Sequence, residues 1–292
     1  MTNSPGATSS VAVLTWHAVV ERPQDLEAWP PGARLYVFTL DELRRQLDHL
    51  ASGGFAAVSM ADFVRWHRGE IELPERALVL SFDDGHRSNA ELATPALRER
   101  GLRGVFFITA GRVGTGDWLA WPQLRAMLGE GMEIGSHTLT HPNPSTLGAA
   151  GLERELAESK RVLEQNLGVP VESIASPTGY DSRHFASLAL QVGYRSALQG
   201  VIGRNWRSTD LFALRRFVLK RSYSFELFTR LVDPSQRTYL GLRVRQAARN
   251  AVRRLLGVRG YEAIRGLFLR PSDPPESEKR RGGSKSQPTN PN

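Results

Sequence analysis

Cysteine is absent from the 292-residue sequence. Its absence excludes disulfides, thiolate metal sites and cysteine nucleophiles, so any metal ion must be held by His, Asp or Glu. Long apolar runs are missing too, and no stretch reaches the roughly 18 apolar residues that indicate a membrane-spanning helix. The first ten residues contain neither a basic nor an apolar segment, so we predict no secretory signal peptide and a cytoplasmic location.

Most of the chain also lacks an excess of one charge sign. The net charge is +8, yet residues 235–292 alone contain thirteen Lys and Arg against four Asp and Glu, which leaves residues 1–234 at −1. A nearly neutral body without a basic, aromatic-rich patch argues against a nucleic-acid partner.

Short apolar runs alternate with helical patterns along the chain. The runs predict strands at residues 11–16, 55–59, 77–82, 104–109, 132–135, 173–176, 194–198 and 214–219, with helices between most of them. This alternation indicates βαβ units and an α/β fold with parallel strands. No Gly-rich dinucleotide turn follows the first strand, which favours a barrel over an open sheet. In such barrels the chemistry lies at the carboxyl ends of the strands.

The segment Ser81-Phe82-Asp83-Asp84-Gly85 comes at the end of the predicted strand 77–82. Two adjacent carboxylates repel each other unless a cation or a proton lies between them. A surface turn is the simpler explanation of an Asp-Gly pair taken alone.

A second segment, Gly135-Ser136-His137-Thr138-Leu139-Thr140-His141, follows the predicted strand 132–135. Histidines four residues apart reach one ion if the segment turns helically, and two unrelated loop histidines are the alternative. Only seven histidines occur in the chain, and both segments follow a strand. Together they indicate a metal site of one Asp and two His, with open positions for water and substrate.

The two segments resemble the (T/S)FDDG and H(S/T)xxH motifs of the NodB-type polysaccharide deacetylases. The residues at 73–76, 104–110 and 131–137 are similar to that family as well, and Trp16-His17 resembles its Tyr-His pair. The similarity extends over roughly residues 11–220.

This resemblance implies a distorted (β/α) barrel of about seven strands and a metal-dependent hydrolase that removes N-acetyl groups from a sugar or glycan. Asp83 would be the general base. Asp84, His137 and His141 would hold a divalent metal, usually Zn²⁺. The metal would polarise the acetamide carbonyl and lower the pKa of a bound water.

The sequence departs from the family at its third motif, which is usually RxPYG and here reads Ala175-Ser176-Pro177-Thr178-Gly179-Tyr180. The Arg that orients the catalytic Asp in the family is missing. Arg215 or Arg216 could supply that charge from the last strand, and two surface arginines are the alternative. We retain Arg216 as the candidate.

The family's Leu-x-His motif, which supplies a general acid, is not evident either. His17, at the end of the first strand, is the candidate replacement, and a buried structural histidine is the alternative. His86 and His184 are weaker candidates. These departures leave open a second hypothesis, that the protein is a catalytically weak or inactive glycan-binding or regulatory member of the same fold.

The composition changes after about residue 222. We predict a deacetylase domain at residues 11–222, a basic helical extension at 223–270 and a disordered tail at 271–292. In residues 236–256, apolar residues recur at helical spacing with five arginines between them. Such a helix either packs on the barrel or contacts an anionic membrane peripherally. Because no signal peptide is predicted, a lipid-linked glycan at the inner membrane face is a plausible substrate.

Overall fold

The computed structural model describes residues 9–178 and 184–251, which contain ten strands, seven bounded α-helices and a further helical segment that begins at residue 239. The strands are β1 (Ala12–Trp16), β2 (Val19–Val20), β3 (Phe38–Thr39), β4 (Ala56–Ala57), β5 (Ala77–Phe82), β6 (Val105–Ile108), β7 (Glu133–Ser136), β8 (Ser173–Ala175), β9 (Ser196–Leu198) and β10 (Phe217–Val218). The helices are α1 (Leu40–Ser52), α2 (Met60–His67), α3 (Thr94–Arg98), α4 (Trp121–Gly129), α5 (Ala149–Leu167), α6 (Phe185–Val192) and α7 (Phe225–Val232).

Seven parallel strands form one curled sheet in the order β10-β1-β5-β6-β7-β8-β9. Strand β4 adds to the amino-terminal end of β5, and β2 pairs with β3 in a separate two-stranded ribbon. Leu198 in β9 also forms a parallel bridge with Leu214, shortly before β10. The two ends of the strand order therefore approach each other, and the predicted distorted barrel of about seven strands is confirmed.

The side chains of β1 show how the sheet is buried on both faces. Ala12, Leu14 and Trp16 belong to the largest apolar cluster, to which α1 and α3–α7 also contribute. Val13, with Val11 just before the strand, belongs to a second apolar cluster that contains residues of α2. This alternation between two apolar faces is expected of parallel strands covered on both sides.

The sequence pattern between the strands at 77–82 and 104–109 predicts one regular helix over residues 88–100, but the structure there is shorter and less regular. A π-helical turn spans Asn89–Ala93, and α3 follows it. Pro95 has no backbone N–H and so cannot donate to the carbonyl four residues earlier. The backbone N–H and hydroxyl of Thr94 both donate to the carbonyl of Asn89 instead, which widens the turn.

The first compact unit of the chain runs to Gln246. It includes α7, whose Phe228, Leu231 and Val232 are buried. It also includes the start of the helical segment that begins at residue 239, where Tyr239 is buried and Leu242 is partly buried. The predicted division at residue 222 stays a prediction about domain organisation, and the predicted tail at 271–292 lies outside the described residues.

No helix in the described part of the chain combines the length and the hydropathy that crossing a bilayer requires.

Glu133 in β7 joins the sheet to α2, because its Oε2 accepts a hydrogen bond from the backbone N–H of Met60 at 2.7 Å. Burial raises the pKa of the Glu133 carboxyl to about 7, helped by the charges of Glu172 and Asp62, although the N–H groups of Met60 and Ala61 act in the opposite direction. The folded state therefore keeps a proton on Glu133 at a pH where the unfolded chain has lost it.

We expect Glu133 to make the folded state less stable as the pH rises from about 4.5 to 7, since the folded pKa lies above the unfolded value. Glu133→Gln keeps an acceptor for the Met60 N–H but does not titrate. The unfolding free energy of this variant minus that of wild type should therefore increase by on the order of 1–3 kcal/mol between pH 5 and pH 8. Denaturant unfolding at several pH values measures this difference, and a difference that stays constant with pH would contradict the assignment.

Candidate metal and catalytic site

The two candidate segments meet because their strands are close in the same parallel sheet. Asp83 and Asp84 directly follow β5, and His137 directly follows β7, with β6 between these two strands. Backbone pairing continues past the strand ends: the N–H of Asp83 donates to the Trp16 carbonyl at 2.9 Å, and that of His137 donates to the Ile108 carbonyl at 2.8 Å. The site thus lies at the carboxyl edge of the sheet, as predicted.

Asp84, His137 and His141 form a group of three potential metal ligands whose donor atoms all lie within 4.8 Å of one another. Oδ1 of Asp84 is 3.4 Å from Nε2 of His137 and 3.1 Å from Nε2 of His141. Ligand atoms about 2.0–2.2 Å from a tetrahedral zinc ion are themselves about 3.4 Å apart. Asp84 Oδ1 is buried and has no hydrogen-bond partner among the described residues. These side chains therefore fit a divalent metal.

The hydrogen bond of His137 shows which of its nitrogens faces the site. Nδ1 of His137 lies 2.9 Å from the carbonyl oxygen of Ala175, which can only accept, so Nδ1 carries the proton. In the neutral ring the lone pair is then on Nε2, directed toward Asp84. A metal-binding histidine is typically held in this way, with its second nitrogen donating to a carbonyl.

Electrostatics at Asp84 favour the ionised carboxylate. Burial by itself raises the pKa of the Asp84 carboxyl, but the His137 and His141 side chains, with smaller help from His17, more than offset this effect. The pKa of Asp84 therefore lies well below its usual value. An ionised carboxylate is the form that binds a cation.

Asp83 is paired with Arg216 in the interior of the site. Nη1 of Arg216 donates to Oδ2 of Asp83 at 2.6 Å, and both side chains are almost fully buried, with 3% and 2% exposed. Arg216 also donates to the carbonyls of Ser176 at 2.9 Å and Gln199 at 3.2 Å. Oδ1 of Asp83 is buried and has no hydrogen-bond partner among the described residues. One oxygen of Asp83 is thus fixed, and the other can accept a proton.

Arg215 does not take part in this pair. Its guanidinium lies over the ring of Trp206, 5.9 Å from the centroid, and it is partly exposed. The structure therefore distinguishes the two arginines that the sequence left open, and it is Arg216 that contacts Asp83.

His17 lies beside the site, at the end of β1. Burial lowers the pKa of His17, the charges of Asp84 and Asp83 oppose that shift, and the charges of Arg216 and His137 add to it, so the ring is close enough to feel all four groups. The ring packs against Tyr36 with a centroid distance of 5.1 Å, and Nδ1 is buried without a hydrogen-bond partner in the described ranges. This placement leaves His17 as the candidate general acid.

His86 and His184, the weaker candidates, are not among the three potential ligands. The His86 ring packs between Trp29 and Trp118, and its Nδ1 is 2.8 Å from the Ser88 hydroxyl. His184 precedes α6, and its carbonyl accepts from the Leu188 N–H.

Unfavourable backbone conformations concentrate at this site. Asp84, Thr138, His141 and Thr178 are the non-glycine residues of the described chain with positive φ, at 75°, 68°, 62° and 62°. Two of them are the proposed ligands themselves, and Thr178 belongs to the altered third motif. A non-glycine residue in the left-handed region is strained and persists only where its surroundings hold it, and such residues cluster at functional sites.

Sequence reasoning missed three groups that support the site: the carbonyls of Ser176 and Gln199, and the side chain of Glu155. Backbone carbonyls leave no signal in a sequence. Glu155 gave a weak signal in the sequence, because at helical spacing it lies next to Leu152, Leu156 and Ser159 on the buried face of α5. A carboxylate at the edge of a buried helix face calls for a partner.

Comparisons with known proteins agree with this geometry. Residues 70–197 match the family model for polysaccharide deacetylase. A Bacillus subtilis protein called YxkH, whose name places it among polysaccharide deacetylases, is 24% identical over 159 residues, which are 54% of this chain and 57% of that protein. The peptidoglycan-N-acetylglucosamine deacetylase of Bacillus cereus is 25% identical over 168 residues, covering 56% of this chain and 75% of the relative.

The fold is also similar to that of a solved structure, the Streptococcus pyogenes deacetylase PplD in complex with acetate. The TM-score is 0.70 at 21% identity, with 77% of this chain and 99% of the other covered. The family match includes Asp83, Asp84, His137 and His141. Residues 70–197 are thus similar to the polysaccharide deacetylase family, and the fold is similar to that of a solved deacetylase.

Proposed function

We propose that this protein is a metal-dependent hydrolase that removes N-acetyl groups from a sugar or glycan. One observation carries the proposal: three converging metal ligands and a buried carboxylate with a free oxygen lie together at the carboxyl edge of the sheet. The names of relatives support the proposed substrate class, since they include deacetylases of peptidoglycan N-acetylglucosamine and of poly-β-1,6-N-acetyl-D-glucosamine.

Asp84, His137 and His141 would hold the metal, with Zn²⁺ the proposed ion. When bound, such an ion polarises a carbonyl oxygen and lowers the pKa of a water molecule. Asp83 would accept the proton of the attacking water through Oδ1, while Arg216 keeps Oδ2 in place and balances its charge. His17 would donate a proton to the departing amine, which breaks the carbon–nitrogen bond and releases acetate.

The hypothesis of an inactive glycan-binding member rested on the missing arginine of the third motif. Arg216 would take over that role, because its Nη1 is 2.6 Å from Oδ2 of Asp83, although it lies 133 residues further along the chain. We therefore favour the enzyme. An acetate-release assay with purified protein and N-acetylated sugars, with and without added zinc, tests the proposal directly. Binding of these sugars without acetate release would favour the alternative.

We expect the purified protein to hold about one divalent metal ion per chain, because three side chains form the site. His137→Ala combined with His141→Ala should abolish this occupancy, leaving one ligand. Elemental analysis measures it. The matched control is His67→Gln, since His67 contacts the Thr209 carbonyl and is not one of the three proposed ligands. Full occupancy in the double variant would show that the metal is bound elsewhere.

Disrupting the Asp83–Arg216 pair should reduce turnover without removing the metal. Asp83→Asn removes the proposed base, and we expect a loss of about 10²–10⁴-fold in kcat with metal content unchanged. Arg216→Gln leaves Asp83 buried without its counter-charge, so we expect a smaller loss of kcat, again with metal content unchanged.

The control for this pair is Arg215→Gln, which changes the neighbouring arginine but no contact of Asp83. It should retain near-normal kcat and normal metal content. Near-normal turnover by Asp83→Asn would instead make another group the base, and His17 would be the next residue to test.

We propose in addition that the protein is cytoplasmic and contacts the inner membrane face, where a lipid-linked glycan would be its substrate. Within the segment 236–256, the helix that begins at residue 239 buries Tyr239 but exposes Leu240 and Val244, at 44% and 70%. Exposed Arg237 and Arg245 flank them. An apolar stripe bordered by arginines suits an anionic bilayer, where each basic residue contributes about 1 kcal/mol.

Vesicle cosedimentation should show salt-sensitive binding to anionic vesicles and none to neutral ones. Leu240→Ser combined with Val244→Ser should weaken it by about tenfold or more, because two apolar side chains are lost, and should leave deacetylation unchanged because the packed face is retained. The paired substitution tests the surface better than a truncation after residue 234 would, because truncation would also remove Tyr239 from the core. Equal binding by both proteins, or a dimer without vesicle binding, would contradict the membrane proposal.

A further inference from the structure

The backbone between the two histidine ligands is held in an unfavourable conformation. Thr138 and His141 have φ values of 68° and 62°, in the left-handed region that side chains disfavour, and Thr138 is β-branched as well. Such a segment relaxes unless neighbouring groups fix it. Residues 138–141 therefore depend on neighbouring groups that hold them in place.

Three of its contacts come from one side chain on another element. Oε2 of Glu155, in α5, accepts from the backbone N–H of Leu139 at 3.0 Å and from that of Thr140 at 2.8 Å. Oε1 of Glu155 accepts from the Thr140 hydroxyl at 2.7 Å. Hydrogen bonds to a carboxylate are about twice as strong as neutral ones. Glu155 thus binds two consecutive N–H groups in the middle of the segment.

The other hydrogen bonds of residues 138–141 involve neutral partners, and they include one from the Thr138 N–H to the Ser136 hydroxyl at 3.3 Å and one from the Ala110 N–H to the Thr138 carbonyl at 3.1 Å. The Thr138 hydroxyl accepts from the His141 N–H at 3.2 Å, and the carbonyl of Leu139 accepts from the Gly111 N–H at 2.8 Å. Gly111 has to be glycine here, because a Cβ would lie 2.7 Å from the Leu139 oxygen. These contacts fix the segment against the loop after β6, whereas Glu155 fixes it against α5.

Glu155 has no competing use among the described residues. It forms no ion pair with Lys or Arg there, unlike Glu158 and Glu164 on the same helix. It also lies beyond the first turn of α5, so it does not cap that helix. All of its hydrogen bonds in the described structure go to Leu139 and Thr140.

We propose that Glu155 is a positioning residue for His141, which acts through the backbone of residues 138–141 rather than by touching metal or substrate. This inference rests on the proposed metal site. With Glu155 in place, Nε2 of His141 is held 3.1 Å from Oδ1 of Asp84. Without it, the strained segment relaxes and the third ligand moves away from the other two.

Glu155→Ala and Glu155→Gln, measured against wild type, test this inference. The readout is the zinc dissociation constant of the full chain, obtained by competition with a chromophoric chelator. Loss of a group that orients a ligand typically weakens metal affinity about 10–100-fold, which we expect for Glu155→Ala. Glu155→Gln keeps one acceptor oxygen and should lose less. The absorption spectrum of the cobalt(II)-loaded variant should also change, since His141 no longer sits in the same position.

Glu158→Ala is the matched control, because it removes a carboxylate from the same helix that pairs only with Arg161. It should bind zinc like wild type. Thermal unfolding of the metal-free proteins separates affinity from stability, and if Glu155→Ala does not fold, the Glu155→Gln comparison decides. Wild-type affinity and an unchanged cobalt spectrum in the folded Glu155 variant would overturn the inference. A wild-type protein that binds no zinc would instead overturn the proposed metal site.

Discussion

Oδ1 of Asp84 lies 3.4 Å from Nε2 of His137 and 3.1 Å from Nε2 of His141, and a carboxylate oxygen and imidazole nitrogens this close together call for a cation or a proton between them. The fold maintains this arrangement by placing the donors on rigid elements. Asp84 follows β5 and His137 follows β7, while the Ala175 carbonyl, which holds the His137 ring, ends β8. The features of the site that we describe either hold these donors together or compensate for their charge.

Backbone strain and side-chain support are coupled at this site. Each of the proposed ligands Asp84 and His141 has a left-handed backbone, and so does Thr138 between the two histidines. Such conformations cost free energy, of order 1–3 kcal/mol each. The hydrogen bonds from Glu155, Thr138 and the loop after β6 offset that cost locally. The site is therefore stabilised by its surroundings rather than by its own sequence preferences.

Much of this could be predicted from the sequence, because the relevant signals are local. The strands appear as apolar runs, and two adjacent carboxylates after a strand are a conspicuous pattern. The break in the helix at residues 88–100 was also readable, since Pro95 removes a backbone donor. Helix α7 had signals as well, with Ser224 as its cap and Phe228 and Leu231 on its buried face.

What could not be predicted depends on packing. In an extended segment, adjacent residues point to opposite faces, so choosing between Arg215 and Arg216 requires the register in which β10 pairs with β1. The link from Glu155 to residues 139 and 140 requires the position of α5 against a loop of irregular conformation. The role of the Ser176 carbonyl is independent of its side chain. None of these relations is encoded in spacing along the chain.

The location of Arg216 next to β10 has a consequence for how the site is assembled. The proposed metal ligands and Asp83 are all present by residue 141, but the counter-charge of Asp83 enters 133 residues after it, with the strand that pairs with β1. During synthesis and folding, the three ligands can therefore come together well before the base is neutralised. The proposed metal site and the Asp83–Arg216 pair would then be formed in two separate steps, and docking of β10 would complete the pair.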